Sequence, residues 1–179
     1  MQVMGISGMP GSGKASVTDI ATERGAIIVS MGDIIREEAK KRGESTKETA
    51  RKIREEFGEY IVSELTIKKI KKLEEEGNKK LIIVEGIRSH HEVEMFKENF
   101  ENFFILSIFA NPQIRFERLL LRKREDDSED FEGFQKRDFQ ELGFGIGNVI
   151  SLSDKLIINE STLESYEKQL NDFFDELGL

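Results

Sequence analysis

Short apolar runs alternate with longer amphipathic stretches along the whole chain. The runs are about four to eight residues long, which is typical of buried strands rather than of helices. They predict strands at Val3–Ser7, Ala26–Ser30, Leu81–Val84, Phe103–Ala110 and Lys155–Ile158. Near-continuous apolar strands separated by helices indicate a parallel sheet covered on both faces, so the predicted fold class is α/β.

The stretches between these runs carry apolar residues at helical spacing. They predict helices over Gly13–Arg24, Gly32–Arg42, His91–Phe100, 112–124 and Thr162–Leu177. Residues 47–76 are highly charged, and their apolar positions near helical spacing also predict helix. Residues 125–147 form an acidic segment containing Phe and Gly, to which we assign no element and which we expect to be mobile in part.

The composition limits which binding partners and which cellular compartment we expect for this protein. The chain has 179 residues, a length typical of one compact domain. Its formal net charge of −8 disfavours a nonspecific nucleic-acid binder, and the absence of cysteine excludes a disulfide framework and a cysteine-based zinc site. No apolar run approaches the roughly 20 residues of a membrane span, and the first strand leaves no room for a signal peptide. We therefore expect a cytoplasmic protein without membrane contact.

A glycine-rich loop joins the first predicted strand to the first predicted helix. Residues 8–14 read Gly-Met-Pro-Gly-Ser-Gly-Lys and meet the spacing G-x-x-x-x-G-K in full. Glycines let backbone N–H groups turn inward around a chain of phosphates, and Lys14 adds a positive charge. A plain glycine-rich turn is the alternative, but the complete motif in its strand–loop–helix context favours phosphate binding. The predicted binding residues are Gly8, Met9, Pro10, Gly11, Ser12, Gly13, Lys14, Ala15 and Ser16.

The loop departs from the general motif directly after Lys14. The hydroxyl residue that usually ligates magnesium is replaced by Ala15, and Ser16 follows one position later. This arrangement resembles P-loop nucleoside monophosphate kinases of the adenylate kinase type, which carry G-x-P-G-x-G-K-G-T. The resemblance implies ATP as the phosphoryl donor and Mg²⁺ held mainly through water and acidic groups elsewhere. A chain that binds nucleotide but catalyses poorly is the alternative.

Asp33 and Arg36 lie three positions apart at the start of a predicted helix and therefore share a face. An acid there can orient hydrated magnesium, and an arginine can bind a phosphate through two hydrogen bonds. A helix-start Asp beside a solvated Arg is the alternative. The string Ser-Met-Gly-Asp-Ile-Ile-Arg at residues 30–36 resembles S-T-G-D-x-x-R of adenylate kinases. That resemblance implies that Arg36 binds the acceptor phosphate and that Asp33 helps to organise magnesium.

The third predicted strand runs into Glu85-Gly86-Ile87-Arg88. An acid at the tip of a buried strand beside a phosphate loop commonly assists magnesium, so Glu85 is a candidate that acts through water. The string resembles D-G-x-P-R of adenylate kinases, which implies that Gly86 and Arg88 bind the acceptor and that Arg88 assists catalysis. It lacks the proline, is one residue shorter and is not followed by a glutamine that reads adenine. The identity of the acceptor base therefore stays open.

The fourth predicted strand is followed by a helix in which Arg118 and Arg122 are four residues apart and share a face. Arginines on a helix are ordinarily solvated, but the resemblance implies donor-nucleotide contacts, with one at the adenine and one on the phosphates. The stretch with Arg124-Glu125-Asp126-Asp127 and then Lys136-Arg137-Asp138 resembles a reduced lid. The resemblance implies catalytic roles for Lys14, Arg122 and Arg137. The acidic pair Asp126 and Asp127 is interpreted as a solvated run or as partners that restrain these arginines.

Asn159 follows the last predicted strand. Backbone in this loop contacts the donor adenine in adenylate kinases, so the resemblance makes Asn159 a nucleotide-binding candidate. A role in a turn or a helix cap is an equal alternative.

The resemblance extends over most of the chain and is strongest to an archaeal group of adenylate-kinase-related, dephospho-coenzyme-A-kinase-like proteins. It implies a three-layer P-loop NTPase fold with a five-stranded parallel sheet. The single domain 1–179 would comprise a core (1–45, 78–124 and 146–179), a helical acceptor arm (about 46–77) and a short lid (about 125–145).

These features support a kinase that transfers the γ-phosphoryl group of ATP to AMP or an AMP-like acceptor. Two alternatives stay open. The acceptor could be the hydroxyl of dephospho-coenzyme A, or the protein could be an AMP/ATP-binding regulator with little turnover. A GTPase is disfavoured because no Asn-Lys-x-Asp or Thr-Lys-x-Asp string is present to read guanine.

Overall fold

A five-stranded parallel sheet forms the centre of the molecule in this computed structural model, which describes residues 1–77, 81–122 and 130–179. The strands are β1 (Val3–Ser7), β2 (Ile27–Ser30), β3 (Ile82–Glu85), β4 (Phe103–Phe109) and β5 (Lys155–Ile158). Their order across the sheet is β2-β3-β1-β4-β5. All five predicted strands are confirmed, with shifts of one residue at some ends.

Helices cover both faces of this sheet. They are α1 (Lys14–Glu23), α2 (Met31–Arg42), α3 (Thr46–Phe57), α4 (Ile61–Glu75), α5 (His90–Asn99), α6 (Pro112–Arg122), α7 (Phe131–Gly143), α8 (Ile146–Ser151) and α9 (Leu163–Glu176). Alternate side chains of each strand point to opposite faces, which gives two separate apolar clusters. Val84 lies in a cluster with residues of α2 to α5 and α8, whereas Ile83 packs with α1 and α9. The predicted three-layer α/β fold is therefore confirmed.

The charged segment 47–76 forms two helices that break near Gly58. Gly58 has φ +108°, a conformation that favours glycine and ends α3. Ile53 of α3 and Ile70 of α4 are buried against the same cluster, while the charged residues of both helices face solvent. The helical prediction is confirmed, and the division of the chain into arm, core and lid stays a prediction.

Residues 131–147, to which the sequence assigned no element, form α7 and the start of α8. Asp130 caps α7 by accepting a hydrogen bond from the Gly133 amide at 2.6 Å. Phe131 and Phe134 pack on Phe116 of α6, with ring centroids 5.2 Å and 5.4 Å away. The sequence signal is weak because these aromatic contacts join two separate helices. Arg124, Asp126 and Asp127 lie outside the described residues.

Among the residues that the structure describes, no helix is both long and apolar enough to cross a membrane.

Candidate active site

The phosphate-binding motif forms a tight loop between the end of β1 and the start of α1. The Ser12 amide donates to the carbonyl of Met9 at 3.1 Å, and the Ser16 amide donates to the carbonyl of Gly13 at 3.3 Å. Gly13 has φ +103°, which side-chain-bearing residues rarely adopt. Its backbone conformation therefore supports the glycine requirement inferred from the motif.

Two side chains hold this loop from the interior of the protein. Asn159 donates from Nδ2 to the Ser12 carbonyl at 2.9 Å, and Tyr166 donates from its hydroxyl to the Gly13 carbonyl at 3.0 Å. Burial raises the pKa of Tyr166, so the hydroxyl stays a proton donor. A Cβ at Gly13 would collide with Asn159 Nδ2. Asn159 is thus a support of the loop, a role that the sequence did not predict.

The helix-cap alternative for Asn159 is wrong, because Thr162 caps α9. Asn159 instead follows β5, where its main-chain and side-chain oxygens both accept from Arg118 Nη2, at 3.0 Å and 3.2 Å. Contact between this segment and an adenine ring stays a prediction.

Lys14 folds back over the loop. Its Nζ donates to the carbonyls of Gly8 at 2.6 Å and Met9 at 3.2 Å. Burial lowers its pKa to about 8, while the nearby carboxylates of Glu141 and Glu85 act in the opposite direction. Anionic phosphates in the same cleft would stabilise the charged form of this partly buried ammonium.

A cleft of about 560 Å³ opens above the loop at the carboxyl ends of β1 and β3. It brings together most of the residues that the sequence singled out. The residues of that set that line it are Gly8, Pro10, Gly11, Gly13, Lys14, Ala15, Glu85, Gly86, Arg88, Arg118, Arg122 and Arg137. Met9, Ser12, Ser16 and Asn159 do not line this cleft, and Ser12 is buried.

Glu85 ends β3 beside Ile6 of β1 and Ser30 of β2. Burial raises the pKa of its carboxyl group, Lys14 opposes that shift and the negative charge of Asp33 adds to it. The predicted acid at the strand tip thus lies next to the loop lysine.

Asp33 and Arg36 share a helix face as predicted, but they bind each other. Arg36 donates to Asp33 Oδ1 from Nε at 2.9 Å and from Nη2 at 2.5 Å. Both side chains are more than half exposed, and neither lines the cleft. Use of Arg36 on an acceptor phosphate therefore requires this surface ion pair to open.

The arginines of the cleft lie in different environments. Arg118 is held by Asn159, and its Nη1 is buried without a hydrogen-bond partner in the described part of the chain. Arg88 is half-exposed, with Nε 3.4 Å from Glu141 Oε2 and its guanidinium 5.5 Å from the centre of the Phe144 ring. A buried donor such as Arg118 Nη1 is costly unless it is paired, which fits a ligand oxygen in this cleft.

The sequence did not predict the roles of three residues at or beside the cleft, namely Arg115, Asp138 and Glu141. Arg115 looked like one more helix arginine but is 3% exposed and binds Asp138 of α7. Glu141 of α7 lines the cleft opposite Arg88. The available signal for Arg115 was its position four residues before the buried Leu119, on the apolar face of α6.

The acidic groups suit magnesium only in part. Within residues 1–77, 81–122 and 130–179, no group of three or more His, Cys, Asp or Glu side chains could hold a metal ion. Glu85 is at the cleft, Asp33 is close enough to affect its charge, and Ala15 offers no hydroxyl. This donor set fits a magnesium ion that is bound mostly by phosphate oxygens and water.

Comparisons with known proteins agree with this geometry. A family model described as an AAA domain matches residues 7–133. A UPF0200 protein of Methanothermobacter thermautotrophicus is 45% identical over 178 residues, which cover 99% of this chain and 92% of the relative. The chain belongs to the UPF0200 family. The UPF0200 protein PF1294 of Pyrococcus furiosus is 44% identical, with 95% of this chain and 96% of the relative covered.

Solved structures show the same fold as this UPF0200 chain. Shikimate kinase from Bacteroides thetaiotaomicron superposes with a TM-score of 0.63 at 15% identity, covering 99% of both chains. TT1252 from Thermus thermophilus gives a TM-score of 0.64 at 17% identity, covering 98% of this chain and 97% of that one. The predicted P-loop α/β fold is confirmed, since the chain shares it with shikimate kinase.

Proposed function

We propose that the protein is a kinase that transfers the γ-phosphoryl group of ATP to AMP or an AMP-like acceptor. The observation that carries this proposal is the cleft above the loop. It gathers five cationic side chains, namely Lys14, Arg88, Arg118, Arg122 and Arg137, on a phosphate-binding loop at the ends of two strands. Phosphoryl transfer depends mainly on positioning and charge neutralisation, which such a set supplies.

The donor triphosphate would lie along the loop. The backbone amides of the loop and of the first turn of α1 would bind its oxygens, as the positive end of a helix favours anions. Arg118 Nη1 would gain the partner that it lacks, and Arg122 lines the same cleft. Both arginines would thus serve the donor rather than the acceptor.

Lys14 would exchange its contacts with loop carbonyls for the outer phosphates of the donor. Their negative charge would raise its pKa from about 8, so the lysine would be fully charged when nucleotide is bound. A bound magnesium ion, oriented by Glu85 and Asp33 through water, would neutralise part of the phosphate charge.

The acceptor would enter beside Arg88. Its phosphate would replace Glu141 as the partner of this guanidinium, which Phe144 supports from one side. Arg36 would contribute after its pair with Asp33 opens. Arg137 of α7 would face the phosphoryl group in transfer from the opposite wall of the cleft.

A hydroxyl acceptor of the dephospho-coenzyme A type is the second candidate. A hydroxyl must lose a proton during transfer, and the half-buried Glu85 offers a carboxylate at the cleft that could accept it. A phosphate acceptor needs no such base, so the two candidates differ in what they require of Glu85.

The test is ADP production from ATP and Mg²⁺ with AMP, CMP, UMP, GMP, dephospho-coenzyme A or no acceptor. Lys14→Ala is compared with Lys155→Ala, which removes a half-exposed lysine from β5. We expect acceptor-dependent turnover that Lys14→Ala abolishes and Lys155→Ala preserves. ATP and AMP binding without turnover would refute the kinase and favour the regulator, and unchanged turnover in Lys14→Ala would refute the assigned site.

A further inference from the structure

A buried arginine connects the phosphate-binding loop to α7. Arg115 is 3% exposed, and its guanidinium reaches three separate parts of the chain. Nη1 donates to the Pro10 carbonyl of the loop at 3.1 Å, and Nε donates to the Ala110 carbonyl after β4 at 3.1 Å. Nη1 and Nη2 also donate to the two carboxylate oxygens of Asp138, at 2.9 Å and 2.5 Å.

This contact is more than a generic surface ion pair. The Asp138 side chain is only 15% exposed, and the ring of Phe134, also on α7, lies 5.0 Å from the Arg115 guanidinium. A guanidinium bound to a carboxylate by two parallel hydrogen bonds fixes orientation as well as distance. Movement of α7 away from the core would therefore leave a buried charge without its partner, which is strongly unfavourable.

Asp138 lies between two residues of α7 that line the cleft. Arg137 precedes it directly, and Glu141 follows three positions later. Glu141 in turn contacts Arg88, which comes from the segment after β3. The position of Asp138 therefore determines where the Arg137 guanidinium and the Glu141 carboxylate lie relative to the loop.

We propose that Arg115 and Asp138 are positioning residues that hold Arg137 and Glu141 at the phosphate-binding loop. This inference rests on the proposed function, because it assigns the pair a role in phosphoryl transfer. Neither residue lines the cleft, so their effect is transmitted through α7. Because the Arg115 guanidinium also binds the Pro10 carbonyl, it fixes the positions of the loop and of α7 relative to each other.

The experiment is a double-mutant cycle between Asp138→Asn and Arg137→Ala, with kcat and the KM for ATP as readouts. Misplacing reacting groups by about 1 Å can cost about 100-fold in rate, so we expect Asp138→Asn to lower kcat by at least about tenfold. In the Arg137→Ala background the same change should lower kcat by less than about twofold. Multiplicative effects, or an unchanged kcat in Asp138→Asn, would overturn the inference.

Asp175→Asn is the control for the loss of an ion pair between two elements outside the cleft. Asp175 of α9 pairs with Arg24 at 2.6 Å, so it also joins two elements, but neither residue lines the cleft. We expect this variant to leave kcat unchanged in both backgrounds. A drop in kcat equal to that of Asp138→Asn would mean that general loosening explains the result, and it would overturn the inference.

A second variant covers the case in which Asp138→Asn does not fold. The double change Arg115→Met with Asp138→Leu removes both buried charges, a replacement that proteins often tolerate. It should fold, show a lowered kcat and show the same lack of further effect with Arg137→Ala. If the parent protein binds ATP but has no turnover, the proposed function fails, and the same cycle measured in the Kd for ATP decides the inference.

Discussion

Asn159 carries a specific prediction about how the phosphate-binding loop is held. Asn159→Ala removes the hydrogen bond to the Ser12 carbonyl at 2.9 Å and the side-chain contact with Arg118 at 3.2 Å. The residue is 5% exposed, so water cannot readily replace either bond. Arg118 keeps its bond to the main-chain oxygen of residue 159, which limits the loss on that side.

The expected magnitude follows from the two partners that lose a bond. The Ser12 carbonyl left unpaired costs about 1–3 kcal/mol and the lost net hydrogen bond to Arg118 about 1 kcal/mol more, so we expect the free energy of unfolding to fall by about 2–4 kcal/mol. For a chain of this size that corresponds to a Tm lower by roughly 5–15 °C. ATP binding should weaken by at least about tenfold, or 1.4 kcal/mol, because the loop amides lose their fixed orientation.

Urea denaturation, thermal melting and calorimetric titration with ATP measure these changes. Asn99→Ala is the matched control, since Asn99 also donates to a backbone carbonyl and accepts from a cation, Lys71, but on an exposed surface. It should cost little stability and leave ATP binding unchanged. Equal losses in the two variants, or full ATP affinity in Asn159→Ala, would refute the supporting role.

Three further predictions concern the same cleft. The lowered pKa of Lys14 means that the unfolded chain binds more protons than the folded chain between pH 8 and 10.5. The free energy of unfolding should therefore rise across that window by up to about 3 kcal/mol, and urea titrations of Lys14→Met should show no such rise. Gly13→Ala should lower Tm and ATP affinity far more than Gly43→Ala, which also has positive φ but open space around it; similar losses would contradict the collision with Asn159. Glu141→Gln should lower the KM for a phosphate-bearing acceptor by freeing Arg88, and an unchanged KM in rate assays would show that Glu141 does not compete there.

The sheet and the loop were largely predictable. Strands such as β1 and β3 carry no charged or hydroxyl side chain before their last residue, Ser7 or Glu85, and burial on both faces of a parallel sheet requires that pattern. The loop motif is local, because its conformation depends on glycines at fixed positions. The carboxyl ends of β1 and β3 meet at one edge, so Lys14 and Glu85 could be placed together from sequence position alone.

The wall of the cleft opposite the strand ends was not predictable in the same way. α7 lies in a segment whose acidic and glycine residues gave no clear periodicity, and its packing depends on Phe116 of another helix. Arg115 looked like the other arginines of α6 in the sequence, although a carboxylate 23 positions away binds it. The ion pair between Arg36 and Asp33 was not predicted either, and the role of Arg36 at the acceptor stays a prediction.

The sequence by itself determined the parallel α/β sheet, the phosphate-binding loop and the strand-end residues, because each depends on short patterns of apolar, glycine and charged positions. The tertiary structure decided which side chains support that loop and which charges face one another across the cleft. Asn159 and Tyr166 reach the loop from 147 and 153 positions away. Such contacts depend on the packing of whole elements, and no local pattern along the chain encodes them.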